Sequence, residues 1–199
     1  DTMPGWATRL ISERQRGDSI QQRSTVGADF RRDAIAGAIE EARASGTGLV
    51  GDVANTLEAC GPLADSPLSA TVFFELLGFR AADPAGVVAA ARDRLPALPS
   101  ANRLQWAIAP HAPYSVSPNL FRAIAAAAAG RPLSVHLGES PEEIRFLPDG
   151  RGPWLDLLER IGAWSPEWVA PECGCVEYMQ RLGVLTDRLA SVEHPRHDV

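Results

Sequence analysis

The sequence contains no lysine; all nineteen of its Lys and Arg positions are arginine. Schiff-base chemistry and a P-loop lysine are therefore excluded for these residues. Cysteine is scarce and odd in number: Cys60, Cys173 and Cys175. That argues against a disulfide framework and for a reducing, cytoplasmic setting. Cys173-Gly174-Cys175 lacks a second pair at zinc-finger spacing and reads as a loop before a helix. No apolar run reaches the roughly 18–20 residues of a membrane span; the alanine-rich stretch 123–129 is short and lies in a helical pattern. The first residues lack the regions of a signal peptide. The chain begins with Asp1 rather than Met, so its native start is expected to have been removed or to lie elsewhere. The net charge of -6 speaks against nucleic acid or an anionic membrane as partner. What is present is ordinary: 45% apolar and 22% charged residues, the composition of one soluble globular domain.

Apolar runs alternate with helical patterns. Residues 28–45 read as an amphipathic helix with Ile35, Ala38, Ile39 and Ala42 on one face. Strand patterns follow at 49–53, 70–77, 103–109, 132–137 and 189–193, with helices predicted at 84–94, 118–129, 141–147, 153–162 and 175–182. Asp83-Pro84, Ser117-Pro118 and Ser140-Pro141 each set a capping side chain before a proline at the first helical position. Short buried strands alternating with helices imply parallel βα units. No Gly-rich loop follows a strand, so the dinucleotide-binding fingerprint of a doubly wound sheet is missing. Asp52, Glu75, His111, His136, Glu139 and His194 instead lie at or just past strand C-termini, the active face of a (βα)8 barrel. Five strands are too few to close one, so the expected fold is the middle part of a TIM-type barrel, residues 1–199 forming a single domain.

Three stretches carry chemistry. In Ser134-Val135-His136-Leu137-Gly138-Glu139-Ser140 an imidazole and a carboxylate reach one strand mouth, which suits a metal ligand beside a proton-transferring group. In Ala109-Pro110-His111-Ala112-Pro113-Tyr114-Ser115 two prolines present His111 rigidly past a strand end. In Val192-Glu193-His194 a histidine at the next strand end is placed to join His136. Glu75, a carboxylate in an apolar run, requires a partner and suits a site role. Asp52 and Asn55 read either as mouth residues or as turn caps. The tryptophans read as packing residues, with Trp6 and Trp154 as candidates to wall a pocket. Glu142-Glu143 reads as a solvated helix start.

Pro110-His111-Ala112-Pro113-Tyr114-Ser115 followed by His136-Leu137-Gly138-Glu139-Ser140-Pro141-Glu142-Glu143 resembles the metal-dependent amidohydrolase superfamily, in its deaminase and chlorohydrolase branch. Gly51-Asp52-Val53, Phe74-Glu75-Leu76-Leu77-Gly78-Phe79 and Leu182-Gly183-Val184-Leu185 extend the likeness in order along nearly the whole chain. Members of the aminodeoxyfutalosine and S-adenosylhomocysteine deaminase type look nearest. The resemblance implies a (βα)8 barrel with one divalent metal, zinc or iron. It makes His136 a metal ligand, Glu139 the general acid/base, and His111 a substrate contact. His194 would be the second metal ligand if one residue is inserted; without the insertion Glu193 takes that place. The family's His-x-His pair would fall before Asp1 and its last metal-binding Asp after Val199.

The function expected is hydrolysis of a C–N bond, not a peptide bond. The most natural reaction is deamination of a small heteroaromatic substrate such as a purine nucleoside derivative. The competing expectation is an inactive barrel fragment or interaction module. Unpaired strand edges leave self-association open in either case.

Overall fold

The computed structural model describes residues 2–9, 25–95, 99, 101–128, 130–185 and 189–193, with the backbone alone for 25–29 and 189–193. After a short helix at 3–9, the order is α1 (Thr25–Ala44), β1 (Leu49–Ala54), α2 (Cys60–Asp65), β2 (Ser69–Leu76), α3 (Pro84–Arg94), β3 (Leu104–Pro110), α4 (Pro118–Ala128), β4 (Leu133–His136), α5 (Pro141–Asp149), α6 (Pro153–Arg160), α7 (Cys175–Arg181) and β5 (Leu189–Glu193). Every expected element is present within a few residues. Two were not expected: the short helix at 3–9 and α2, whose six residues Cys-Gly-Pro-Leu-Ala-Asp are too few to show a helical period.

The prolines at helix starts act as the sequence suggests. Asp83 Oδ1 accepts from Gly86 N at 2.9 Å, Ser117 Oγ from Leu120 N at 3.2 Å, and Ser140 Oγ from Glu143 N at 3.1 Å. Each bond satisfies an amide that has no partner within its helix. At the other end of α5, Gly150 takes φ +70° and donates its N–H to Phe146 O at 2.7 Å. A Cβ there would lie 3.0 Å from the Trp168 ring. Gly150→Ala is accordingly expected to cost about 1–2 kcal/mol from the left-handed backbone alone, and more if Trp168 does not yield. A lowered thermal midpoint checks it; an unchanged midpoint contradicts the cap.

All strand pairs are parallel. β1, β2 and β3 adjoin in chain order, β4 pairs with β5, and His136 N donates to His111 O at 2.8 Å where β3 meets β4. A doubly wound sheet reverses its strand order at a switch point. Among the described strands the order never reverses, as along an arc of a barrel.

Alternation along the strands then sorts the side chains. Val72, Phe74 and Leu76 join the main core under the helices, together with Ile108, Val135, Leu120, Phe121 and Ile124. Phe73 turns the other way and packs with Ala107 and Ala109. Glu75 is in phase with Phe73, and His111 with Ala107 and Ala109, so both belong to the inner face. His136 is likewise out of phase with Val135. Asp52, aligned with Val72 in the register, lies on the helix-facing side, near Ile39, Ala42 and Leu63. It is therefore not a mouth residue: an even-numbered position on β1 faces outward. Among the described residues no helix is long and apolar enough to cross a membrane.

Candidate active site

Three adjacent strands deliver Glu75, His111 and His136 to one spot. Glu75 is the penultimate residue of β2, His111 follows the last residue of β3, and His136 ends β4. One ligand atom from each lies within 4.8 Å of the others. Glu75 is buried; its Oε2 accepts from Asn55 Nδ2 at 2.8 Å. Its Oε1 lies 3.3 Å from His136 Nε2 yet has no hydrogen bond of proper geometry among the described residues. A buried carboxylate oxygen left in that state beside the His136 imidazole is a donor pair that suits a divalent zinc-type ion, with His111 across the cluster to face what the ion holds. The residues present therefore fit the metal that the resemblance implies.

His111 Nδ1 meets Ser115 Oγ at 2.6 Å, and Ser115 Oγ donates to Ala112 O at 3.1 Å. With the serine proton spent on that carbonyl, Nδ1 carries the ring proton and Nε2 presents its lone pair. Burial pushes the His111 pKa down, which favours this neutral form. Burial alone would raise the Glu75 carboxyl, but the His136 contact, the neighbouring His111 ring and the Asn55 amide together hold it below its ordinary value.

Glu139 sits just beyond β4. Its Oε1 accepts from the Tyr114 hydroxyl, and the Tyr114 ring stacks on Trp154 with centroids 3.6 Å apart and planes 10° from parallel. Burial, reinforced by the Glu139 charge, raises the Tyr114 pKa, so the hydroxyl remains a donor. Gly138, with φ +65°, makes the turn that brings Glu139 round. Behind the turn lies Glu143, which is wholly buried and not a solvated helix start. Its two oxygens accept from Gly138 N and Glu139 N, each at 3.0 Å. Burial pushes its pKa up to about 7 against the pull of these two bonds.

These groups floor a cavity of about 410 Å³ walled by Trp6, Trp154, Leu77 and Ile161. A larger depression of about 560 Å³ passes Arg80, Asn119 and Trp168, but no histidine lines it. The chemistry belongs to the smaller one. Of the residues expected from sequence, His111, His136, Glu139 and Glu75 come together, and Asn55 joins them. Trp6 and Trp154 are wall residues. His194 lies outside the described residues; Glu193 pairs in register with His136 on β5. Cys60, Cys173 and Cys175 are free thiols, and no metal-holding group of the described residues includes them. Tyr114 and Glu143 were missed as site residues. Ser140 and Glu143 stand at the Ser-x-x-Glu spacing of a capping box, the one available signal for Glu143.

No protein-family model matches the chain. The aminodeoxyfutalosine deaminase of Deinococcus radiodurans is 35% identical over 156 residues, covering 72% of this chain and 37% of that protein. The crystal structure of Helicobacter pylori aminofutalosine deaminase in complex with methylthio-coformycin is 29% identical, with TM-score 0.64 over 80% of this chain and 37% of that one. An adenosine deaminase from Xanthomonas campestris with bound zinc, 22% identical, shares the fold with TM-score 0.59 over 90% of this chain and 38% of that one. The chain thus spans little more than a third of the curated relative's length. Over that stretch it is a homologue of aminodeoxyfutalosine deaminase and carries the α/β parallel-strand architecture of the amidohydrolase superfamily.

Proposed function

We propose that residues 1–199 form a single partial (βα)8-barrel domain. It would carry the proton-transfer half of a cytoplasmic, metal-dependent hydrolase that deaminates a heteroaromatic ring such as a purine nucleoside derivative. The observation that carries this reading is Glu139, held by Tyr114 in the same cavity as the Glu75–His111–His136 cluster. Similarity to named deaminases supports the reaction class. His136 would hold a divalent ion, zinc by its donor set, with His194 as second histidine and Glu75 Oε1 beside it. Such an ion, when bound, supplies Lewis acidity at neutral pH.

The chain's own groups do the rest. Water adds to the ring carbon that bears the amine, the C–N bond breaks, and ammonia leaves. Glu139 takes a proton from the attacking water and returns it to the departing amine. His111 Nε2 and Glu75 contact the substrate, His111 steadying the carbon as it becomes tetrahedral. Trp154 and Trp6 flank the ring and keep bulk water out.

Ammonia release from 6-aminopurine nucleosides tests the reading. Chelation of the intact protein is expected to abolish release and added zinc to restore it; full activity in a metal-free sample would refute the proposal. His136→Ala is expected to weaken metal binding by more than the roughly 10–100-fold that loss of an outer partner costs. His111→Ala should keep its metal and lose turnover. Loss of the metal instead would make His111 a ligand.

A further inference from the structure

We propose that Glu143 is a positioning residue whose carboxylate clamps the Gly138–Glu139 turn and so fixes where the Glu139 carboxylate stands. The inference rests on the reading of Glu139 as proton carrier and adds a second residue to it.

Glu143 is among the largest fully buried side chains of the molecule and does not line the cavity. A carboxylate in such a place is costly unless several donors converge on it. Three groups do: Gly138 N on Oε1, Glu139 N on Oε2, and the Cys175 thiol. In an ordinary capping box the glutamate of the first turn reaches back to the amide of the capping residue. Here the capping residue is Ser140, which accepts from Glu143 N, and the glutamate reaches past it. Both amides bound belong to the turn that carries Glu139. The helix thus spends its buried acid on the two residues before its cap.

The geometry leaves Glu139 fixed from two directions. Tyr114 donates to its carboxylate from the cavity side, and Glu143 binds its main chain from behind. Gly138 lies in the left-handed region at φ +65°, which glycine enters as readily as the right-handed one, so the residue type permits the turn without by itself holding it there. α5 itself is anchored by Phe146 and Leu147, both wholly buried. Glu143 transmits that rigidity to the reacting group. Glutamine can accept only one of the two N–H bonds, and aspartate is shorter by one methylene.

The test compares Glu143→Gln with the unaltered protein and with Glu139→Gln, using 6-aminopurine nucleosides as probes. Amide hydrogen exchange at 138–139 and metal content are read in parallel. The expected result is a kcat lowered about 10–100-fold, the scale of an ångström-sized misplacement. KM should stay within about two-fold, metal content should be unchanged, and exchange at the two amides should be at least about ten-fold faster. Combining the two substitutions should cost no more than Glu139→Gln alone, because a displaced glutamine loses nothing further. Unchanged kcat in Glu143→Gln, with Glu139→Gln inactive, would overturn the positioning role and leave the proposed function standing. Full turnover in Glu139→Gln would overturn the proposed function itself. If Glu143→Gln does not fold, Glu143→Asp keeps the charge and carries the same comparison, with the same two outcomes decisive.

Discussion

Glu139→Gln is expected to lower turnover by about 10²–10⁴-fold, the usual contribution of a positioned acid/base, while bound metal and KM stay nearly unchanged. Glutamine has the size of glutamate, and its carbonyl oxygen can still accept from Tyr114. Its backbone N–H keeps Glu143 Oε2 as acceptor, and Glu143 N keeps the Ser140 cap. What it cannot do is take a proton from water and hand it to an amine. Structure and chemistry are therefore separable at this position. Ammonia release measured beside metal stoichiometry makes the separation visible. Activity within ten-fold of the unaltered protein would remove Glu139 from the mechanism. Loss of the metal together with activity would make it a ligand instead.

Phe146→Ala is expected to destabilise the chain by about 3–5 kcal/mol, the range for truncating a buried phenylalanine. The ring is wholly buried and lies parallel to Trp168, with centroids 4.9 Å apart and planes 7° apart. Phe79 approaches it at 6.3 Å and Trp164 at 6.5 Å. These three rings come from two segments, Phe79 after β2 and both tryptophans from the α6–α7 connection, so a void at Phe146 cannot close by the shift of one neighbour. Phe146 also stands one turn beyond Glu143 on α5, so loosening it should show at the active site before global unfolding. Urea titration checks the stability claim through a lowered midpoint at unchanged slope. Phe30→Ala is the control: that ring is 73% exposed, and its removal should stay within about 0.5 kcal/mol. A loss below about 1 kcal/mol at Phe146 would contradict the packing described.

Much of this is legible in the amino-acid sequence. Proline after a capping side chain marks a helix start by local chemistry alone, and α3, α4 and α5 begin where Asp83, Ser117 and Ser140 indicated. Histidine and glutamate just past apolar runs had to meet, because parallel strands end on one side. The register of those strands was not legible. In Leu49-Val50-Gly51-Asp52-Val53-Ala54 both faces carry mostly apolar residues, although Leu49, Gly51 and Val53 are exposed, so nothing local told Asp52 from Asn55. Glu142 and Glu143 look alike as first-turn acids; only the amides of Gly138 and Glu139, on the far side of Ser140, distinguish them. The Tyr114–Glu139 bond joins residues 25 apart along the chain and depends on how β3 and β4 pack, which no window along the sequence contains.

The in-phase placement of Glu75, His111 and His136 also bears on how such a sequence can diverge. Substitutions within β2, β3 and β4 change size and polarity one position at a time. Gain or loss of a single codon inside one of these strands, upstream of its terminal ligand, turns that ligand from the cavity to the helix layer, since neighbouring positions point to opposite faces. The same change in the connection between α3 and β3, or between α4 and β4, leaves all three in place. Length variation among descendants of this chain should therefore be confined to the connections entering the strands, with the intervals from Ser69 to Glu75, Leu104 to His111 and Leu133 to His136 constant.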